Sequence, residues 1–189
     1  MKSQTEFLKD IITALEQSGI PYMVSGSISS TFYGRPRSTQ DVDIIIEATI
    51  ENLQELVTIL QEKKYYADEE TALEALAHET LFNVFDASSG YKADLIIRKD
   101  RPYSLEEFKR RKSVDVLGVP LYLVTPEDAI LSKLEWAKKG QSERQFTDAL
   151  GVAIVQAERL DWEYMQSWTK ILDLDEYYQR LVDESSKYR

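Results

Sequence analysis

Two aspartates separated by one residue open the most strongly strand-forming segment of the chain, Asp41-Val42-Asp43-Ile44-Ile45-Ile46. Branched side chains are stiff at χ1 and pack well on a pleated surface, so the sequence specifies this strand best. Side chains alternate between the faces of a strand, which puts Asp41 and Asp43 on one face and Val42 on the other. Two carboxylates so placed form a hard-oxygen site suited to Mg²⁺, which keeps part of its water shell and accepts substrate phosphate oxygens. The pattern Asp-x-Asp alone is common, and two solvated acids at a strand end have the same sequence.

The segments around this strand read as a mixed α/β half followed by a helical half. Ser3-Gln4-Thr5-Glu6 is a capping box that opens an amphipathic helix through about Gln17, stopped by Gly19. Pro21 to Ser25 reads as a short strand, and Gly26-Ser27 turns into a brief helix that ends near Gly34-Arg35-Pro36. Helices are expected over about 51–63 and 71–77, with a hairpin of strands 81–85 and 91–97 around the turn-rich Asp86 to Gly90. A second hairpin is expected across Gly118, from 114–116 and 121–124. Thr125-Pro126-Glu127-Asp128 starts the helical half with an N-cap and a proline at the first helical position. Ser142 with Gln145 reads as another capping box, and two more helices follow over about 161–172 and 174–184. The expected division is 1–124 and 125–189.

Composition narrows the function classes. The absence of cysteine removes disulfides, thiolate metal sites and a cysteine nucleophile together. A single histidine, His78, leaves no histidine metal cluster, and no Gly-x-Ser-x-Gly elbow exists to pair it with a nucleophile. The formal net charge of −10 disfavours a broad nucleic-acid surface. No apolar run approaches the roughly 20 residues that span a bilayer. The expectation is a soluble, cytoplasmic protein without a membrane partner.

The stretch before the acids sharpens the reading. Gly26-Ser27 lies between a strand and a helix start, where free backbone N–H groups and the helix dipole favour a phosphate; Ser27 serves equally as an ordinary N-cap. Arg35 and Arg37, in Gly34-Arg35-Pro36-Arg37-Ser38-Thr39, either face a triphosphate or are solvated. Taken together, Gly26-Ser27, Gly34-Arg35, Arg37, Thr39, Asp41 and Asp43 resemble the signature of the nucleotidyltransferase superfamily. The Gly-Arg-x-Arg-x-Thr spacing is similar to that of the abortive-infection toxin branch (AbiEii and MenT-like). A similar stretch occurs in some aminoglycoside and lincosamide nucleotidyltransferases.

That resemblance implies an α+β protein of the polymerase β-like nucleotidyltransferase fold, a small mixed sheet flanked by helices with a C-terminal helical bundle. It implies a Mg²⁺-dependent (or Mn²⁺-dependent) transfer of a nucleoside monophosphate from a nucleoside triphosphate such as ATP to a hydroxyl acceptor. Asp41 and Asp43 would hold the metal and Gly26 and Ser27 the β- and γ-phosphates, with Arg37 and Thr39 beside them. A third acid on a later strand, for which Asp94 is the match, completes the metal site or activates the acceptor. A solvated edge-strand acid is the alternative for Asp94, and Asp86 before Ser-Ser-Gly reads as a turn residue.

In the helical half, Lys133 falls in the apolar arc between Ala129, Ile130, Trp136 and Ala137, and either snorkels or reaches a polar pocket. The branch carries a lysine in this register after Pro-Glu-Asp, which implies phosphate contact. Arg144 and Asp148 match a basic residue and an acid on the next helix, or form a surface i,i+4 pair. The family often has its acid directly after the basic residue, whereas Gln145-Phe146 intervene here. Trp136, Trp162 and Trp168 are expected in the core. The basic stretch Arg98 to Lys112 is either a solvated face or a landing site for a tRNA end or an acidic antitoxin. The acceptors left open are tRNA and a small molecule of antibiotic type; a non-catalytic module of the same fold is the third reading.

Overall fold

The strand that carries the acids runs Asp41–Ile46 (β2), third in a six-stranded sheet; the structure, a computed structural model, describes residues 2–36, 39 and 41–188. Before it come α1 (Gln4–Gln17), β1 (Tyr22–Val24) and α2 (Gly26–Tyr33). After it come α3 (Ile50–Glu62), α4 (Glu69–His78), β3 (Leu81–Phe85), β4 (Lys92–Ile97), α5 (Pro102–Arg110), β5 (Lys112–Val116) and β6 (Val119–Leu123). The remainder is helical: α6 (Pro126–Gly140), α7 (Glu143–Gln156), a 3₁₀ turn over Ala157–Arg159, α8 (Trp162–Thr169) and α9 (Asp175–Ser186).

Strand order is β3-β4-β2-β1-β6-β5, with β2/β4 and β1/β6 parallel and the other neighbours antiparallel. The architecture is the expected α+β one, a mixed sheet with flanking helices. The chain divides into two compact units, Met1–Ser27 with Ser38–Leu123, and Ile28–Arg37 with Val124–Arg189. The whole sheet belongs to the first. The second is helical and includes most of α2, which no local rule links to a segment ninety residues on.

Local chemistry accounts for most boundaries. Ser3 and Glu6 form the reciprocal capping box at the start of α1, and Thr49 with Asn52 forms one at α3. Thr125 caps α6 by accepting from the Asp128 N–H, with Pro126 at the first helical position. At α7 only half of the expected box is made: Ser142 accepts from the Gln145 N–H, while Gln145 Oε1 is buried without a partner. The β5–β6 hairpin turns through Leu117 and Gly118, both at positive φ, as a two-residue primed turn requires.

One face of the sheet is core. Val42, Ile44 and Ile46 of β2, Ala93, Leu95 and Ile97 of β4 and Phe82 and Val84 of β3 are all buried. In the same unit α4 packs on β3 and β4, and α3 lies between α1 and α4. The alternate residues of β2, β3 and β4 face the other way, and it is there that the polar side chains collect.

Candidate active site

On that second face the register decides which groups meet. Asp43 lies opposite Asp94, and Asp41 opposite Lys92, across the parallel β2/β4 ladder. On the other side of β4, Asn83 lies opposite Asp94 and Phe85 opposite Lys92. Like charges directly opposed across strands repel, so the Asp43–Asp94 pairing requires compensation. Lys92 Nζ lies 3.0 Å from Asp94 Oδ1 and 3.2 Å from Oδ2, and Asn83 Nδ2 donates to Oδ1 at 2.6 Å. The Lys92 ammonium is accordingly held above the usual lysine range, first by its bond to Asp94, with Asp41 and Asp43 adding to the effect.

Asp43 is fitted against the turn between β1 and α2. Gly26, the first residue of α2, has φ +62°, and a Cβ there would sit 1.8 Å from Asp43 Oδ2 and 2.5 Å from its Cγ. Only glycine satisfies both conditions. The Ser25 N–H donates to the Asp43 carbonyl at 2.9 Å, tying turn to strand. Next to it, the Ser27 hydroxyl lies 2.9 Å from Thr39 Oγ1 and 3.4 Å from the Asp41 carbonyl. Thr39 Oγ1 donates to that carbonyl at 3.1 Å, and Gln4 Nε2 donates to the Thr39 carbonyl at 2.9 Å. The short hydroxyl side chains thus fix the entry of β2, the point from which Asp41 projects.

Gly26, Ser27, Thr39, Asp41, Asp43 and Asp94 are therefore gathered in one unit. Arg37 lies outside the described residues. Among the described residues no group of three or more acids and imidazoles is gathered to hold a metal, and Asp94 is bonded to Asn83 and Lys92. The pair Asp41 and Asp43 fits Mg²⁺ by the chemistry of its donors: two carboxylates on one strand face, one of them cradled where a Cβ would collide.

In the helical unit, Lys133 of α6 and Asp148 of α7 form an ion pair at 3.0 Å, with side chains only 7% and 11% exposed. Lys133 therefore does not snorkel, and Asp148 takes Lys133 as its partner; Arg144 is exposed. Trp136, expected in the core, is 58% exposed. Trp162 and Trp168 are half-buried, ringed by Tyr178 and Tyr164. The Pro-Glu-Asp acids are structural here. Asp128 accepts from Thr125 and Tyr164 hydroxyls at 2.6 Å each, and Glu127 accepts from the Asp161 N–H.

Two other sequence readings are settled locally. Asp86 is a turn residue that accepts from Ser88 and Ser89, and His78 is exposed at the end of α4. Lys92 and Asn83 were missed. The signal for Lys92 was present, because Lys92-Ala93-Asp94 has the same alternation as Asp41-Val42-Asp43. Nothing local points to Asn83, which joins through the hairpin register.

The mixed sheet with its flanking helices has the fold of solved nucleotidyltransferase structures. The chain is similar to the antibiotic-resistance factor ANT(2'')-Ia in its solution structure, with TM-score 0.58 and 13% identity over 98% of this chain and 96% of that one. It is similar also to ANT(2'')-Ia crystallised with adenylyl-2''-tobramycin, with TM-score 0.60 and 14% identity over 91% and 98%. An antigenic nucleotidyltransferase-like protein from Paracoccidioides brasiliensis matches with TM-score 0.55 and 15% identity over 92% and 91%. At such identities the likeness is one of fold. No family model matches the chain, and no curated relative does. No described helix is long and apolar enough to cross a membrane.

Proposed function

We propose that this protein is a nucleotidyltransferase that moves a nucleoside monophosphate from a nucleoside triphosphate to a hydroxyl acceptor. The observation that carries the reading is the fit of Asp43 over Gly26 at the start of α2, with Asp41 on the same strand face. The positive end of a helix dipole favours phosphate, and the adjacent carboxylates suit the cation that accompanies a triphosphate.

In this mechanism Asp41 and Asp43 would hold Mg²⁺, which when bound would offset charge on the phosphates and favour an in-line displacement. Gly26 and Ser27 would bind the β- and γ-phosphates with Thr39 beside them, while phosphate contact by Arg37 and Lys133 is proposed from the sequence resemblance alone. Asp94, whose Oδ1 accepts from Asn83 and whose Oδ2 accepts from Lys92, would take the proton of the acceptor hydroxyl at Oδ2. The hydroxyl oxygen forms a bond to the α-phosphorus, the α–β bridging bond breaks, and pyrophosphate leaves with the electron pair.

For the acceptor, the toxin-like spacing of Gly34 to Thr39 supports tRNA, with an acidic antitoxin as protein partner. A small-molecule acceptor is a second reading, favoured by one observation. Arginines of the basic stretch are engaged within the fold: Arg98 pairs with Glu47, Arg111 stacks on Phe108 and Tyr122, and Arg101 stacks on Tyr103. The test uses purified protein, Mg²⁺, each α-labelled nucleoside triphosphate, and either total tRNA or a panel of aminoglycosides. Asp43→Ala is the control. Label transfer by wild type alone supports the reading and names the acceptor class. Equal transfer by the variant overturns it.

A further inference from the structure

Two exposed aromatic residues continue the row of polar groups on the open face of the sheet. Phe85 lies directly opposite Lys92, which lies directly opposite Asp41. On its outer side Phe85 forms an isolated antiparallel bridge with Tyr66, each N–H donating to the other's carbonyl, at 2.9 and 3.0 Å. Residues that exchange both bonds share a face of the sheet, with Cα atoms about 5.5 Å apart. The row therefore runs Asp41, Lys92, Phe85, Tyr66, on the face opposite to the buried Val42, Ala93 and Val84. Phe85 is 39% exposed and Tyr66 66%, whereas the neighbouring Tyr65 is buried against Phe7. Asp94 is the diagonal neighbour of Phe85, about 7–8 Å away, a gap that large side chains span.

We propose that Phe85 and Tyr66 form the platform on which the base bearing the acceptor hydroxyl stacks, so that the acceptor is a single-stranded RNA end. The inference rests on the reading of Gly26 and Ser27 as the seat of the β- and γ-phosphates. In an in-line displacement the attacking and leaving oxygens lie on opposite sides of the phosphorus. The strand order is β3-β4-β2-β1, and Gly26 and Ser27 continue from β1. The leaving pyrophosphate and the aromatic pair are thus on opposite sides of β2. The attacking hydroxyl arrives from the side of β4 and β3, over Phe85 and past Asp94.

The chemistry of the platform selects its occupant. A nucleobase presents a flat π-face to an aromatic ring, and the bases of an unpaired RNA end are free to splay onto one. Lys92, next in the row, has three ammonium N–H groups for two approaches to Asp94, and its half-exposed side chain can also meet a backbone phosphate. An aminoglycoside has no planar ring, and its ammonium groups carry the same sign as Lys92. A lone exposed aromatic is ordinary on a protein surface; what sets this pair apart is its register with Lys92 and Asp94. Phe85 and Tyr66 are specificity-determining residues that touch the acceptor away from the reacting atoms.

The test is fluorescence anisotropy of the full chain with a labelled single-stranded RNA of about six nucleotides, in Mg²⁺ without nucleoside triphosphate. Phe85→Ser and Tyr66→Ser should each weaken binding by about tenfold or more, the loss expected for one stacked base. Phe85→Trp and Tyr66→Phe, which keep a ring, should match wild type. So should Trp136→Ser, which removes an exposed ring on α6. Circular dichroism checks the fold of each variant, and one that does not fold is replaced by Phe85→Leu or Tyr66→Leu, which keep bulk without the ring.

RNA binding that survives both serine variants overturns the proposal, as does the absence of RNA binding by wild type. A fluorescent ATP analogue should bind the serine variants as it binds wild type; its loss would seat the incoming base on the platform and overturn the assignment to the acceptor. Weaker tobramycin binding by the same variants would name a small-molecule acceptor and overturn it likewise. Transfer itself is judged separately, by label from α-labelled nucleoside triphosphate in wild type against Asp43→Ala, so the two readings fail on different measurements.

Discussion

Lys133 and Asp148 meet at 3.0 Å across α6 and α7, almost withdrawn from water. Two buried charges hold each other at a large desolvation cost, and removing one strands much of that cost on the other. Asp148→Leu, which strands the Lys133 ammonium, should therefore destabilise the chain by about 3 kcal/mol, lowering Tm by about 8 °C in a chain of this size. The double variant Lys133→Met with Asp148→Leu should recover most of the loss, because two apolar groups replace the pair. Thermal melts of the two singles and the double give the coupling. Additive losses would show that the pair is not a unit.

Gly26 separates strain from collision. Gly26→Ala places a Cβ 1.8 Å from Asp43 Oδ2 on a backbone at φ +62°, so the carboxylate must move. Gly90→Ala, at φ +79° with nothing within 4 Å of the added carbon, meets strain alone. Both should lose about 1–2 kcal/mol of stability from the left-handed backbone. Only Gly26→Ala should also lower nucleotide transfer, by about 100-fold or more, as expected when a charged group at the reacting centre is displaced. Transfer rates beside melting curves for the two variants decide it.

Gly34 predicts a purely steric effect in the helical unit. A Cβ there would lie 2.8 Å from the Ser30 carbonyl and 2.9 Å from Val152 N, backbone atoms that cannot swing aside. Gly34→Ala should cost about 2 kcal/mol by overpacking, measured by urea denaturation. An unaffected midpoint would mean that α2 and α7 are not held at this distance in solution.

Acid sensitivity should carry a contribution from Asp86. The Ser88 and Ser89 hydroxyls, with the Ser88 N–H, hold its carboxyl below the usual range. A depressed folded pKa means stability that is complete above the unfolded value, about 4, and lost as pH falls through the folded value. Melting temperatures should fall less steeply for Asp86→Asn than for wild type between about pH 5 and about pH 2. Parallel curves for the two proteins would remove Asp86 from the account.

Features that depend on a few consecutive residues were legible before any coordinates. Ser3 to Glu6 gave the start of α1, Thr125-Pro126 the start of α6, and Asp86-Ala87-Ser88-Ser89-Gly90 the turn between β3 and β4. Alternation alone put Asp41 and Asp43 on a common face, because the strand period is a local property of the backbone. The edges of elements shifted by one to three residues, and the Gln145 half of one capping box did not form.

What the sequence determined was which side chains each element offers: a strand with two acids, a glycine turn before a short helix, a lysine on an apolar helical arc. Tertiary structure decided which of them meet. Asp94 faces Asp43 because β4 pairs parallel with β2 in one register out of several, and Asn83 joins only because β3 folds back on β4. Lys133 finds Asp148 on the next helix, and Trp136 is left to water. Periodicity and capping act over a few residues, whereas register and helix packing are fixed by burial of the whole apolar face at once.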